Sequence, residues 1–414
     1  MTHIAVMALG SLGDINPFLG IGRELVRRGH RVTFFTNPYY EAWVEAAGLP
    51  FRPLGTRESF LEIVENPDLW DPNRAMEMIF REAAGLSRET YEQLAALRSE
   101  GLGLCVAPFQ CFGARIAQEK LGIPLVTVMT NPILVESIYD PVRYPVLQWL
   151  ARSGPTGARI MYAVVSFVFE QTIRQPVARC RAALGLPPKW WLGTWVWSPE
   201  RIIGLWPAWL RGPQKDWLPQ LKLTGFISYE APREPTRESA APDAGFLERR
   251  PILFTAGTAM TQGQSFFAAA LEAQRRLNRP ALFVTKYPEQ LPRDLPADVR
   301  VLTYAPFGAL LPHCAAIVHH GGIGTAARAL EAGVPQLVVP AAHDQFDNGH
   351  LLRRAGVGDM LEGALSGAKI ARQLSALLDS PDVRLTCEAR AGDIAAHDAL
   401  AETATMIEAV DGAR

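Results

Sequence analysis

Apolar residues come in short runs, separated by longer stretches in which they recur every three or four positions. "HIAVMAL" (3–9) is apolar at almost every position, the pattern of a strand covered on both faces. The glycine loop "GSLGDINP" (10–17) follows, and a helix is expected from about Pro17 to Arg28. Pro17 suits the first helical position, Phe18, Ile21 and Leu25 share a face, and Gly29 marks the stop. "RVTFFT" (31–36) reads as the next strand. Further strands are expected near 103–107, 124–129 and 201–206, with helices around 73–98 and 110–121, the second ended by Gly122. Residues 140–185 read as largely helical.

The stretch "APREPTRESAAPD" (231–243) interrupts this alternation. It has no apolar period and is rich in proline and charge, as an exposed linker is. Strands are expected again near 251–256, 281–286, 299–304, 315–320 and 335–340, each followed by helix-compatible sequence. No repeat is visible. The pattern predicts an α/β protein of two doubly wound, Rossmann-like domains facing a cleft, at 1–228 and 246–390. A linker (229–245) joins them, and a C-terminal helix (391–414) is expected to pack back on the first domain.

Bulk composition narrows the class. The 414 residues are 48% hydrophobic and 20% charged with net charge −1, so nothing global argues for nucleic acid as a partner. Residues 151–222, however, carry ten Lys or Arg against three Asp or Glu, and seven of the ten tryptophans lie between Trp190 and Trp217. Such a segment suits either an anionic amphiphile or lipid surface, or a packed domain wall with solvated arginines. The five cysteines show no paired spacing, which fits buried thiols in a reducing cytosol. No signal peptide is evident. The apolar run near 160–173 is too short to span a bilayer and contains Glu170, which leaves peripheral membrane contact as the expected limit.

Four unusual segments fall at the carboxyl ends of strands in the second half, where open parallel sheets bind ligands: "TAGT" (255–258), "TYAPF" (303–307), "HHGGIGT" (319–325) and "AAHDQ" (341–345). In "HHGGIGT" the glycines permit a sharp turn and close backbone approach, and a helix is expected to start around Gly324 and Thr325. Its free N–H groups and dipole favour a phosphate, to which the Thr325 hydroxyl and a His320 ring N–H can add donors. A metal is the competing occupant, given His319, His320 and His343. Adjacent strand residues point to opposite faces, so His319 and His320 form a poor chelating pair, and no metal is expected. Asp344 and Gln345 suit paired hydroxyls, as on a sugar; Asp344 also suits a helix cap.

The segment from Tyr304 to Asn348 resembles the donor-binding box of nucleotide-sugar glycosyltransferases of the two-Rossmann-domain GT-B class, family 1. The resemblance implies that His320 and the backbone of Gly322 to Thr325, Gly324 included, hold a diphosphate. It implies that Asp344 and Gln345 bind sugar hydroxyls, that Tyr304 stacks on a base flanked by Ala305 and Phe307, and that Gly257 and Thr258 form a second phosphate loop. Plant members hold the ribose with a glutamate eight residues after the box histidine; this chain has Arg328 there.

Sugar transfer to a hydroxyl needs a base. Many members use a histidine in the first loop, but His3 and His30 both fall at the wrong end of the first sheet. Asp14 is left in place, within a loop that resembles the "G-x-x-G-D" of sterol and antibiotic glycosyltransferases, where aspartate is the base. Asp14 either serves so or shapes a turn and caps the helix with Asn16. Phe109, Trp191 and Trp195 are the candidate acceptor contacts. Stretches such as "GSLGDINPFLGIGRELVRRGHRV", "DLWDP", "GARIAQEKLGIP" and "GVPQLVVPAAHDQFDN" resemble the rhamnosyltransferase branch of rhamnolipid synthesis. That resemblance implies an inverting enzyme in the cytoplasm with a dTDP-L-rhamnose donor, an amphiphilic 3-(3-hydroxyalkanoyloxy)alkanoate acceptor, no cofactor, and a second enzyme supplying the acceptor. Another donor, or a sterol or macrolide acceptor, is the nearest rival. A non-catalytic nucleotide-binding protein is the rival from another class. A dinucleotide oxidoreductase is disfavoured, because Gly20 and Gly22 lie inside the helix rather than in a GxGxxG turn.

Overall fold

The computed structural model describes residues 1–71, 74–144, 147–230, 242–257 and 260–411. They form two compact units: Met1–Arg233 with Asp398–Arg414, and Glu234–His397. Of the linker expected at 229–245, residues 231–241 lie outside the described residues, and Ala244–Glu248 is a short helix.

The first unit is built on seven parallel strands: β1 (His3–Met7), β2 (Arg31–Thr36), β3 (Phe51–Pro53), β4 (Leu102–Ala107), β5 (Leu125–Met129), β6 (Arg201–Gly204) and β7 (Leu221–Leu223). Their order in the sheet is β3-β2-β1-β4-β5-β6-β7. β1 explains why its sequence shows no alternation. Ala5 and Met7 pack into the core on one face, Ile4 and Val6 into the core on the other, and all are fully buried. The chain reverses its direction of winding between β1 and β4, and such a switch point opens a crevice at the strands' carboxyl ends.

The second unit has six parallel strands: β8 (Ile252–Thr255), β9 (Ala281–Val284), β10 (Val299–Leu302), β11 (Ala316–His319), β12 (Gln336–Val338) and β13 (Gly358–Met360). They are ordered β10-β9-β8-β11-β12-β13, so its switch point lies between β8 and β11. The same two-faced packing recurs, with Ile252 and Phe254 on one side and Leu253 on the other. The chain is thus α/β with two doubly wound parallel sheets.

Several expected boundaries move. The first helix runs Leu12–Arg27 and places Pro17 in its second turn, where the missing N–H forfeits one intrahelical bond. It starts early because the Asp14 carboxylate satisfies the Ser11 N–H at the helix entrance, at 3.0 Å. The helical stretch at 73–98 is two helices, Ala75–Gly85 and Ser87–Ser99. That at 140–185 is also two, Gln148–Arg152 and Pro155–Ala183, broken at Gly154 with φ +87°. β3, β7 and β13, absent from the sequence reading, are three-residue edge strands, too short to carry a period.

The terminal helix Ala399–Asp411 completes the first unit. Ala399, Ala404 and Ile407 enter the core beneath Phe18 and Leu25. Arg28 fastens it, donating to Glu408 (2.7 Å), Thr405 Oγ1 (2.9 Å) and the Ala401 carbonyl (2.7 Å), while its Nε donates to Glu24 (2.8 Å). The His30 ring meets Glu408 at 2.9 Å. Hydrogen bonds from Arg27, then Arg28, hold the Glu24 carboxyl down at about 2. Arg28→Ala is expected to lower the urea midpoint by an amount equivalent to about 2 kcal/mol, and the mostly exposed Arg27→Ala to lower it by clearly less. Because Glu24 has a depressed pKa, its contribution is complete above the ordinary carboxylate range and fades as pH falls toward 2. The gap between wild type and Arg28→Ala is therefore expected to narrow in acid.

Candidate functional site

In the second unit the site begins with strand register. His319, the last residue of β11, pairs with Thr255 on β8 and Val338 on β12. The next residue, His320, is therefore level with the loop that leaves β8. Its ring fills the space where Gly257 and Gly322 lack side chains. A Cβ on Gly257 would lie 2.7 Å from His320 Cε1, and one on Gly322 would lie 2.4 Å from His320 Nε2. Gly257 also has φ +94°, open to glycine at little cost. Burial, then the charge of His343, pushes the His320 imidazole down to about 4. Near neutral pH it is an uncharged ring with one N–H to donate, and its Nδ1 is buried without a protein partner.

His319 does different work. Its Nδ1 accepts the Gly321 N–H at 3.1 Å, so its proton sits on Nε2, which donates to Gln336 Oε1 at 3.0 Å. Gln336 in turn donates to the Ala326 carbonyl (3.3 Å) in the helix beyond. The residue thereby ties strand, glycine turn and helix together. The two histidine rings lie 6.1 Å apart at 89° to each other, aimed at different surroundings.

That helix runs Ile323–Glu331, one residue earlier than the sequence suggested, with Gly322 at its N-cap. No side chain caps it, so the N–H groups of Ile323, Gly324 and Thr325 have no intrahelical acceptor and face the strand ends with the positive end of the dipole. Thr325 is half-buried beside them.

After β12 the loop turns through His343, which adopts φ +56°, a strained value for a residue with a side chain. Gln345 is buried, and its Oε1 accepts the N–H groups of Ala341 (2.7 Å) and Ala342 (3.0 Å). Asp344 precedes the helix Gln345–Arg354 with helical backbone and no capping bond. The expected cap does not form; Asp344 Oδ2 accepts from Asn348 Nδ2 at 2.5 Å instead. Asn348 Nδ2 also donates to the Gly321 carbonyl at 2.9 Å, and its Oδ1 is buried without a partner. Asn348 thus joins the glycine turn to the acidic loop. Sequence reading missed it, although it closes the "HDQFDN" stretch four residues from Asp344, one helical turn on.

Tyr304, Ala305 and Phe307 follow β10, at the edge of the sheet. Tyr304 and Phe307 are half-buried, whereas Ala305 packs with Leu302 and Leu310 in the core. Thr258 lies outside the described residues. Arg328 is paired with Glu331 at 3.0 Å, so its charge is answered within its own helix.

In the first unit Asp14 sits at the switch point, in the first turn of its helix rather than in a loop. Oδ2 accepts the Ser11 N–H (3.0 Å) and hydroxyl (2.9 Å), and Oδ1 accepts the Thr130 hydroxyl (3.2 Å) from the end of β5. A Cβ on Gly10 would lie 2.6 Å from Oδ2, so the loop must carry glycine there. Burial raises the Asp14 pKa above the ordinary carboxylate range, outweighing the Ser11 and Thr130 hydrogen bonds that lower it. His3 is on β1 against Thr33 (2.9 Å) and His30 is held by Glu408, both at the opposite end of the sheet. Asp14 therefore shapes the helix entrance and remains a desolvated carboxylate.

Two proposed acceptor contacts need correction. Phe109 is interior, its ring 4.8 Å from that of Trp197 and 5.7 Å from that of Phe80. Trp195 is also buried: its N–H donates to Glu119 (3.0 Å), and the guanidinium groups of Arg181 and Arg115 lie over its ring at 5.2 and 5.4 Å. Both belong to the packed wall because their faces are already covered. Trp191 is exposed.

Known proteins resemble this chain in sequence and fold. The description "Glycosyltransferase family 28 N-terminal domain" matches residues 4–140, and "Erythromycin biosynthesis protein CIII-like, C-terminal domain" matches residues 283–410. A 4'-demethylrebeccamycin synthase from Lentzea aerocolonigenes is 26% identical, across 96% of this chain and 96% of its own. An O-mycaminosyltylonolide 6-deoxyallosyltransferase from Streptomyces fradiae is 30% identical, across 86% of this chain and 84% of its own. Among solved structures, glycosyltransferase VinC in complex with DTDP has the same fold, with a TM-score of 0.70 at 21% identity over 100% of both chains. With its two doubly wound units, and at 30% identity over most of a known transferase, the chain belongs to the GT-B glycosyltransferases of family 1.

Proposed function

We propose that this glycosyltransferase moves L-rhamnose from dTDP-L-rhamnose onto the hydroxyl of a 3-(3-hydroxyalkanoyloxy)alkanoate, with inversion and without a metal. The observation that carries the reading is the pairing of chemistries at the two switch points: a desolvated carboxylate in one unit, a neutral imidazole beside an uncapped helix in the other.

The second sheet offers the donor its contacts in linear order. From β10 to β12 are four interstrand steps, about 19 Å at the usual spacing. A base against Tyr304 and Phe307, a diphosphate at Gly257, His320 and the Gly322–Thr325 turn, and a sugar at Asp344 and Gln345 would lie along that edge. Gln345 has its carbonyl engaged by the loop, so it would meet the sugar through its amide N–H groups.

In the reaction, Asp14 accepts the proton of the acceptor hydroxyl as its oxygen forms a bond to the anomeric carbon. The bond from that carbon to the diphosphate breaks, and the electron pair leaves with the nucleotide. One displacement inverts the centre. The departing charge meets the N–H groups of Ile323, Gly324 and Thr325 and a His320 ring N–H, donors fixed before the reaction begins. The raised pKa suits Asp14 to this role, since an ordinary aspartate near ~4 is a weak base.

The acceptor has a second reading. The relatives are named for 4'-demethylrebeccamycin and O-mycaminosyltylonolide, which favours a macrolide, sterol or other apolar natural product. What supports the hydroxyacyl lipid is the excess of basic and tryptophan residues in 151–222, apt for a carboxylate on an apolar tail. Incubation with dTDP-rhamnose or UDP-glucose, and with a hydroxyacyl lipid, a sterol or a macrolide, followed by mass spectrometry, separates these. Rhamnosylated hydroxyacyl lipid is expected; product from the other acceptors alone would replace the proposal.

Asp14→Asn keeps the shape but not the base, and is expected to lower kcat by ~10²–10⁴ with nucleotide affinity nearly unchanged in calorimetry. Folding raises the pKa of Asp14, so it favours the protonated form, and some stability is lost as pH rises from the ordinary carboxylate range through the folded pKa. Asn lacks that loss, so the variant is expected to melt no lower than wild type at neutral pH. His320→Ala, in contrast, is expected to reduce kcat/KM for the donor by roughly 10²-fold, read from initial rates at varied nucleotide sugar.

A further inference from the structure

We propose that the outer face of the helix Pro155–Ala183 docks on an anionic lipid bilayer, lying along its surface. Soluble domains rarely expose contiguous apolar residues, yet Ile160, Val164, Phe167 and Val168 recur at the spacing of one helical face and all stand open to solvent. An indole flanks each end. Trp149 is on the helix Gln148–Arg152, which packs against the longer one; the Trp190 carbonyl accepts from Arg174 at 3.3 Å, nearly two turns beyond Val168. The six side chains are between 42% and 86% exposed. Their opposite face, with Ala158, Met161, Ile173 and Val177, is spent on the interior of the unit.

Charge selects the occupant. The helix carries four arginines and one acid, Glu170; Arg181 is buried against Glu119 and Arg174 pairs with Glu170, which leaves Arg159 and Arg179 exposed. Glu170 is buried, accepting the Leu192 N–H at 2.8 Å and pairing with Arg174 at 2.8 Å, so no carboxylate of this helix interrupts its apolar face. Arg159 is exposed within that stretch and Arg152 beside Trp149. A second protein would be expected to offer its own acids; a sheet of anionic headgroups over acyl chains answers both the arginines and the apolar side chains, with indoles at the boundary. Among the described residues no helix is long and apolar enough to cross a membrane, so the contact is interfacial. This inference does not depend on the donor or acceptor proposed above.

The test is flotation of the full chain with phosphatidylcholine vesicles containing roughly one-quarter phosphatidylglycerol, against phosphatidylcholine alone, at low and high salt. Binding is expected to be stronger to the anionic vesicles and to weaken with salt. Phe167→Ser with Val168→Ser is expected to lower the apparent affinity ~10²-fold, and Arg152→Gln with Arg159→Gln roughly 10-fold. All five native cysteines are buried, so Val164→Cys can carry a nitroxide selectively. On vesicles that label is expected to lose contact with a water-soluble relaxing agent. Variants that float like wild type, a label that stays accessible on bound protein, or a dimer dissolved by the Phe167/Val168 pair without any vesicle binding would each overturn the proposal.

Discussion

A backbone can approach a charged ligand closely only where no Cβ intervenes, and the His320 clamp is that constraint made structural. Register places the ring beside the end of β8, and Gly257 and Gly322 give it the volume it occupies. The uncapped helix beginning at Ile323, the His319 staple and the Asn348 tie all organise around this arrangement. Any side chain at either glycine would displace the ring or the turn, and with it the donors aimed at the strand ends. The loss would be of geometry rather than of a contact.

The first unit faces an electrostatic contest. Burial disfavours the charged form of Asp14, and three hydrogen bonds favour it; burial wins, and the carboxyl is held above its ordinary range. The same bonds fix its direction. Ser11 holds one oxygen from the helix entrance and Thr130 the other from the end of β5, so the group is oriented by two strands that do not neighbour each other. A residue that shapes a helix entrance thereby also presents a desolvated, oriented carboxyl, as the proposed base role requires.

Most of this was legible in the sequence where periodicity or glycine speaks. The nearly unbroken apolar run of β1 announced a parallel, doubly covered strand, and "HHGGIGT" announced the turn and helix. Illegible were features set by tertiary context. The edge strands β3, β7 and β13 are too short to show a period. The first helix starts at Leu12 because Asp14 reaches back to Ser11, a cap that the expectation of proline at the first position concealed. Whether Trp195 was wall or contact depended on Glu119, Arg115 and Arg181, which are distant in sequence or across a turn. The Asn348 tie required knowing that Gly321 would be beneath it.

The helix Ala399–Asp411 closes a core whose other walls were laid down by residues before 230. On the ribosome, the nascent first unit must therefore hold an open seam along Phe18 and Leu25 throughout synthesis of the whole second sheet. Until Glu408 emerges, Arg28 has only Glu24 to answer its charge, and the His30 Nε2 lacks its carboxylate. The second unit, continuous in the chain, can finish folding while the first is still ajar, which makes that seam the stretch most in need of shielding during translation.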